Sequence, residues 1–302
     1  MKGFVSPPSE LEGTAATSLR YRSLWADAAL RFSRNRVAMA GLVFILLMAT
    51  LALLAPLIDR HDPSFQDYEA IRISPSWDHW LGTDALGRDQ WSRLVHGARL
   101  SLSVGLLTQA VALSIGITVG MAAGLGGPRA DNLVMRATDV AYAFPDLLML
   151  ILVISVLGSN FVMIFLAIGL VSWPTLARLV RGQALSLQQR EFVLAATAMG
   201  AGRTRIAFTH LLPNTLGPVI VTAVFGIPFA IFAEAALAYI GLGLAPPSPS
   251  WGRLVTEGYG AIRSAPHLVL FPALAITLTM VSFSFIGDGL RDALDPRTRT
   301  EA

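Results

Sequence analysis

The chain has 302 residues, of which 54% are hydrophobic and only 14% are charged. Soluble domains carry about 25% charged residues, so the composition excludes an ordinary soluble domain and favours a membrane protein. The net charge is +3, and cysteine is absent, which excludes disulfides, thiol chemistry and cysteine-based metal sites.

The first 36 residues are polar and end in a basic run at Arg31, Arg34 and Arg36. The stretch Val37–Ile58 that follows holds no charge and exceeds the usual apolar region of a signal peptide, about 7–15 residues. At about 1.5 Å per residue it can cross a hydrocarbon core of about 30 Å. We therefore expect a cytoplasmic segment over 1–36 and a retained first span.

Five further apolar stretches follow, separated by polar or Gly- and Pro-rich breaks, and the sequence predicts an all-α membrane protein with six transmembrane helices. The expected spans two to six are Ser101–Gly127, Leu133–Leu157, Phe161–Leu179, Thr215–Leu244 and His267–Gly287. The membrane domain then covers residues 37–290. It includes a polar loop over 59–98 that is too poor in apolar residues for its own core, and a short charged tail over 291–302 follows it.

The distribution of Lys and Arg predicts the orientation. With six spans, sixteen of the 23 basic residues fall on the side that holds both termini, and seven fall on the other. We therefore expect both termini in the cytoplasm and the 59–98 loop outside.

The segment between the fourth and fifth spans is polar but ordered in pattern. Glu191 suits the first turn of a helix, while Gly200 and Gly202 are placed to end that helix. A second short helix is expected after them, ended by Pro213. From the residues alone, a surface for a partner and an ordinary amphipathic connector are equally good interpretations.

The motif in this segment resembles the coupling loop of bacterial ABC importer permeases. Other segments are similar to the permeases for dipeptides, oligopeptides and nickel, in the second (C-type) of their two paired subunits. The matching coupling positions are Glu191, Ala195, Ala196, Gly200, Ile206, Leu212 and Pro213. The other matching segments are Leu81–Asp89, Arg136–Asp139 with Phe144–Pro145, Glu234–Gly243, Pro246–Gly252 and Gly287–Pro296, so the resemblance covers residues 34–299.

The resemblance implies a type I importer permease in the bacterial cytoplasmic membrane, with the coupling loop at 183–214 on the cytoplasmic side. It implies a homologous permease, two ATP-binding subunits and an extracytoplasmic substrate-binding protein as partners. ATP and Mg would be bound by the partners, because this chain has no Gly-x-x-x-x-Gly-Lys-Ser/Thr motif. We expect no cofactor in this chain, no catalytic residue and no nucleic acid partner.

The sequence leaves alternatives open for the transported substrate and for the class of protein. Peptides are the first expectation, and nickel chelates or glutathione-like molecules are alternatives within the family. Outside it, an ion-coupled secondary transporter is the main rival. The absence of a His-Glu-x-x-His motif disfavours an intramembrane protease.

Three ionisable residues in the expected spans are candidates for a translocation path: Glu234, Arg136 and Asp139. A charge near the bilayer centre is costly and should face protein or water. Glu234 stands beside Ala235, Ala236 and Ala238, so tight helix packing is a slightly better interpretation of this residue. For Arg136 and Asp139, an ion pair at i,i+3 is the expected explanation.

In the expected outer loops, Gly82, Asp84, Gly87 and Trp251 are candidates for docking the binding protein, with bracing of the loop as an equal alternative. The glycines suit tight turns, and Trp251 offers an aromatic contact. The five histidines show no metal-binding spacing, so we expect no metal site.

Overall fold

The computed structural model describes residues 24–295, so most of the predicted cytoplasmic segment over 1–36 and of the predicted tail over 291–302 lies outside the described residues. It confirms the all-α prediction: between residues 24 and 295 the β-structure is a single bridge between Thr83 and Asp89. The helices are α1 Leu24–Arg34, α2 Arg36–Ile58, α3 Gln90–Leu125, α4 Pro128–Ala143, α5 Asp146–Leu157, α6 Phe161–Gln188, α7 Glu191–Ala198, α8 Arg203–Arg205, α9 Leu212–Tyr239, α10 Trp251–Tyr259 and α11 His267–Leu294, with a π-helical segment at Ile206–Leu211.

Five helices in the described region are long and apolar enough to cross a membrane: α2, α3, α6, α9 with its preceding turns, and α11. The helices α4 and α5, which are bent by 88° at the break between them, make a sixth span if the pair is counted as one. The expected third span over Leu133–Leu157 is therefore not one continuous helix. The break falls at Phe144 and Pro145, both in extended backbone, because the ring of a proline disfavours helical geometry at the residue before it.

The helix ends also differ from the apolar boundaries in the sequence. The third helix begins at Gln90, inside the expected 59–98 loop, because the Asp89 carboxylate accepts a hydrogen bond from the Ser92 N–H at 2.8 Å. The helices α6 and α11 likewise run on through polar residues to Gln188 and Leu294. At the start of α3 a capping group, and not hydropathy, fixes the helix end.

A short helix precedes the first span. The strongly amphipathic α1 ends at Arg34. The next residue, Asn35, caps the start of α2, since its side chain accepts hydrogen bonds from the Val37 and Ala38 N–H groups at 3.2 and 3.1 Å. The ring of Phe32 packs on α11 beside Gly289. This places α1 at the end of the bundle where α11 finishes.

The centre of the bundle is the contact of α3 with α6. Three glycines on α3, Gly116, Gly120 and Gly124, are four residues apart and lie on one face. A Cβ atom at Gly120 would lie 2.6 Å from the carbonyl oxygen of Ala177 on α6, so the two backbones approach as closely as glycine allows.

Contacts between elements show which segments share an end of the bundle. The Gln188 amide at the end of α6 donates to the Gly124 carbonyl oxygen at 2.9 Å, next to the turn between α3 and α4. At the other end, Arg88 of the 59–89 loop donates to Glu257 of α10 at 2.8 Å. The segment around α7 and the loop with α10 therefore lie at opposite ends.

Candidate functional site

The coupling loop begins with α7, which ends in a glycine-dependent cap. Gly200 has a φ of +84°, its N–H bonds to the Thr197 carbonyl at 2.9 Å, and the Ala201 N–H bonds to the Ala196 carbonyl at 3.0 Å. These two bonds form the Schellman motif. The prediction that Gly200 ends this helix is confirmed, whereas Gly202 has a φ of −70° and starts the next helix.

The sequence predicted that the second helix of the coupling loop ends at Pro213, and this prediction is wrong. After Arg203–Arg205 the chain makes the π-helical segment Ile206–Leu211 and continues directly into α9. Pro213 lies in the first turn of α9; because the helical chain is continuous there, the proline removes one hydrogen-bond donor without ending the helix. The coupling loop is thus continuous with the fifth span.

An apolar cluster anchors the coupling loop to the bundle. Val193 of α7 and Ile206 and Leu211 of the π-helical segment are buried against Ala184 of α6. Met121 and Leu125, in the last turns of α3, pack against the same cluster. The coupling loop is therefore packed against α3 and α6 and joined directly to α9.

The matching coupling positions divide into two groups by burial. Ala196 and Ile206 are buried, at 5% and 7% exposed, and Ile206 belongs to the anchoring cluster, while Leu212 is half-buried and Pro213 is exposed. Glu191, Ala195 and Gly200 are exposed, with no atom within 4 Å of a Cβ placed on Gly200. The motif thus combines residues that hold the segment with residues that leave its outer surface smooth.

Large apolar side chains project from the coupling loop. Phe192, Leu194, Met199 and Phe208 are 44%, 56%, 83% and 67% exposed, respectively. Charged residues accompany them at Glu191, Arg203 and Arg205. Large exposed apolar side chains rimmed by charge are typical of a surface that another protein or a membrane covers.

Of the residues expected on a translocation path, Glu234 is fully buried inside this chain. Ser101 of α3 donates to its carboxylate at 3.5 Å, and α10 packs so closely that a Cβ atom on Gly252 would lie 2.4 Å from Cα of Ala235. This is the environment that the packing alternative predicts.

Arg136 and Asp139 do not pair with each other, so the expectation of an i,i+3 ion pair is wrong. Arg136 donates to Asn132 one turn earlier at 3.2 Å, and Asp139 lies 3.6 Å from Arg178 of α6. The guanidinium of Arg178 also stacks on Tyr142, 3.9 Å from the ring centre. The partner of Asp139 lies on another helix, α6, and the spacing of residues within α4 could not indicate it.

The four residues expected to dock the binding protein are buried or nearly so. Trp251 is fully buried, and its indole N–H donates to the Leu94 carbonyl at 3.0 Å, so the prediction that it offers an exposed aromatic contact is wrong. Gly82 and Gly87 have φ values of +78° and +74°, and a Cβ on Gly82 would lie 2.4 Å from the Ile73 carbonyl. These contacts correspond to the bracing alternative.

Asp84 belongs to a buried ion-pair network that joins the outer loop to α3 and α10. Its carboxylate accepts from Arg88 Nε at 2.7 Å and from Arg93 of α3, which is fully buried. Glu257 of α10 accepts from Arg88, Arg93 and Arg253 at 2.7–2.8 Å. Burial opposes ionisation of Glu257, but the surrounding arginines, Arg93 first, hold its pKa below the ordinary value.

The fold also brings together three ligand-type side chains that sequence spacing did not indicate. Atoms of His61, His79 and Asp89 that could bind a metal lie within 4.8 Å of one another. The Nδ1 atom of His79 lies 2.9 Å from the Asp89 carboxylate, whose other oxygen caps α3. Of these three, Asp89 is thus already used to start a helix.

Two residues near the break in the third span were missed as candidates. Asp146 is the first residue of α5 and is exposed on the surface of this chain. Gln109 of α3 is 6% exposed, and it lines the same cavity as Asp146. The signal for Asp146 was available in the sequence, since an acid directly after Phe144-Pro145 starts a helix inside a span.

Comparison with known proteins agrees with this architecture. Residues 116–300, more than half of the chain, match the family model described as "Binding-protein-dependent transport system inner membrane component". Residues 23–75 match the model for the N-terminal TM domain of oligopeptide transport permease C.

Curated relatives match over nearly the full length. The oligopeptide transport system permease protein OppC of Bacillus subtilis is 42% identical over 99% of this chain and 98% of its own. The dipeptide transport system permease protein DppC of Alkalihalophilus pseudofirmus is 41% identical over 98% and 95%. The glutathione transport system permease protein GsiD of Pectobacterium atrosepticum is 40% identical over 92% and 93%.

A solved structure shares the fold. It is titled as an inward-facing conformation of the MetNI methionine ABC transporter, and one of its chains superposes with a TM-score of 0.56 at 18% identity. The match covers 67% of this chain and 96% of the other. Together with the family match over residues 116–300, this shows that the chain belongs to the family of binding-protein-dependent transport system inner membrane components, the permeases of ABC importers.

Proposed function

We propose that this chain is one of two permease subunits of an ATP-driven importer for di- and oligopeptides in a bacterial cytoplasmic membrane. The sister permease, two ATP-hydrolysing subunits with their Mg-ATP, and an external substrate-binding protein complete the complex. ATP binding draws the two coupling loops together and opens the bundle outward, and hydrolysis returns it to the inward state. Catalysis belongs to the partners.

The observation that carries this proposal is the construction of the coupling loop. Its exposed residues Phe192, Leu194, Met199 and Phe208 are the kind of side chains that fill a cleft on a partner protein. Its anchoring cluster binds it to the ends of α3 and α6. A surface that is both protruding and rigidly attached can transmit a partner's movement into the bundle.

The orientation is part of the proposal. We infer that the coupling loop and both termini are cytoplasmic, because sixteen of the 23 basic residues fall on that side. Both chain ends that the structure describes, α1 and the end of α11, lie together, in line with an even number of spans.

Peptides are the substrate class that we propose, since the relatives with 42% and 41% identity are named for oligopeptide and dipeptide transport. Glutathione is the second candidate, because relatives at 40% and 39% identity are named for its transport. A nickel chelate stays a prediction from the resemblance alone. An ion-coupled secondary transporter does not agree with the family membership.

The test is uptake by the complete complex reconstituted into proteoliposomes. We expect trialanine to enter only when the binding protein is outside and ATP is present at the ATPase side. Dissipating the proton and sodium gradients should leave the initial rate unchanged. Uptake that follows an ion gradient and ignores ATP would contradict the proposal, and glutathione uptake without trialanine uptake would select the second candidate.

A further inference from the structure

A cavity of about 270 Å³ lies where the bent third span meets α3, α6 and α9. Its wall includes Gln109 of α3, Asp146 of α5, Thr175 of α6, and Phe225 and Phe229 of α9. It is somewhat smaller than the sites of roughly 300–1,000 Å³ that hold drug-sized ligands. The space therefore suits one end of a longer molecule.

Gln109 lines this cavity and carries a buried hydrogen-bond donor that has no partner. The side chain is 6% exposed, and its Nε2 atom has no hydrogen-bond partner among residues 24–295. A buried amide without a partner costs free energy. A Cβ atom on Gly226 would lie 2.4 Å from the Gln109 amide oxygen, so the glycine of α9 leaves the room in which this amide stands.

Asp146 presents a negative charge at the same cavity. It begins α5 directly after the break, and no ion pair involves it in the described part of the chain. A carboxylate inside a span is expected to face protein or water, and Asp146 lines this cavity. The rings of Phe225 and Phe229 add faces that attract a cation.

We propose that this cavity receives the amino-terminal residue of a peptide in transit. The Asp146 carboxylate would accept hydrogen bonds from the terminal ammonium group. Gln109, after a rotation of its side-chain amide that turns Nε2 into the cavity, would donate to the first peptide carbonyl. The aromatic wall would contact the first side chain. This inference rests on the proposed peptide import, and it names the part of the substrate that the permease itself recognises.

The same chemistry discriminates between peptides and glutathione. An ordinary peptide has an ammonium next to an uncharged carbonyl, which matches a carboxylate beside an amide donor. The γ-glutamyl end of glutathione has a carboxylate on the carbon that bears its ammonium. That carboxylate would stand beside Asp146, where two like charges repel.

The experiment compares uptake of trialanine by reconstituted complexes at saturating loaded binding protein. Asp146→Asn and Gln109→Leu should each lower the maximal rate about tenfold, as expected for loss of one charged or buried hydrogen bond. The KM for loaded binding protein should not change, because docking occurs elsewhere. Asp288→Asn, which removes an exposed acid from α11, is the charge-matched control and should behave as wild type.

Glutathione supplies a readout that a merely structural role would not move: Asp146→Asn should not slow its uptake, whatever the wild-type rate. Co-purification of all subunits and ATP hydrolysis stimulated by loaded binding protein show that each variant assembles. If the wild type carries trialanine and both variants match it, this inference is overturned while the proposed function stands. If the wild type carries no peptide with ATP, the proposed function fails first.

Discussion

At the scale of single residues, Gly200 is the position where the coupling loop depends most on one amino acid. Its φ of +84° is a conformation that other L-residues adopt at a cost of about 1 kcal/mol or more. Gly200→Ala should therefore loosen the cap of α7 and lower peptide-dependent ATP hydrolysis and uptake together. A larger and charged side chain, as in Gly200→Asp, should in addition weaken co-purification of the ATPase subunits.

Gly202 is the matched control for that prediction. It has a φ of −70°, and a Cβ there meets no atom within 4 Å, so Gly202→Ala should change neither activity nor assembly. Coupled uptake at the wild-type rate in the Gly200→Asp complex would show that α7 is not the coupling element.

Local signals predicted residues whose partners lie nearby in sequence. The role of Gly200 follows from a helix and a turn within ten residues, and the sequence was sufficient to predict it. Arg136 and Asp139 were misassigned because Asp139 contacts Arg178, on a different helix. Trp251 looked like a surface aromatic, but the packing of α10 on α3, through the Leu94 carbonyl, buries it.

At the scale of helices, the contact of α3 with α6 should tolerate no added atom at its centre. Gly120→Ala places a Cβ 2.6 Å from the Ala177 carbonyl oxygen, on a backbone that cannot move aside alone. We expect overpacking to cost about 1–3 kcal/mol and to lower the thermal midpoint of the purified permease complex in detergent.

Gly182 on α6 provides the comparison within the same pair of helices. A Cβ there meets no atom within 4 Å, so Gly182→Ala should raise stability slightly, by the helix propensity difference of about 1 kcal/mol. Equal midpoints for the two alanine variants would contradict the close approach of α3 and α6.

The network around Glu257 should make the outer end of the bundle sensitive to acid. Because the arginines lower the pKa of Glu257 in the folded state, its stabilisation is present above the ordinary value of about 4.3 and is lost as the pH falls below that value. Glu257→Gln removes the charge at every pH. It leaves the buried Arg93 with less compensation, at a cost of about 3 kcal/mol.

Hydrogen exchange of residues 80–93 at neutral and acidic pH measures this effect. The wild type should lose protection as the pH falls, and Glu257→Gln should be less protected at neutral pH and lose less on acidification. Identical profiles for the two proteins would show that the network does not hold the loop.

The sequence was sufficient to predict which segments form long helices. It predicted only in part where those helices end and where they bend. Six apolar stretches predicted six spans, because burial of apolar side chains in a bilayer dominates their free energy. The 88° break at Phe144 and Pro145 was not predicted, although the proline was visible, since many prolines bend a membrane helix far less. The helices α6, α9 and α11 indeed continue past Pro174, Pro228 and Pro272.

At the scale of the whole molecule, the orientation can be read by labelling, because the chain contains no cysteine of its own. Ser64 of the outer loop and Thr209 of the coupling loop are both exposed, so each can be replaced by a single cysteine. In sealed right-side-out vesicles, an impermeant maleimide should modify Ser64→Cys at once and Thr209→Cys only after permeabilisation. Modification of both from the same side would contradict the six-span arrangement.

The length of α3 has a mechanical consequence. Its 36 residues make a rod of about 54 Å, longer than the bilayer core is thick. One end holds Arg93 of the outer network, and the other holds Met121 and Leu125 of the anchoring cluster. If a helix of this length tilts as a rigid body by about 10°, one end is displaced sideways by about 9 Å relative to the other. Under the proposed function, a displacement at the coupling loop is expected to reach the 59–89 loop within this one helix, without any relay of side chains.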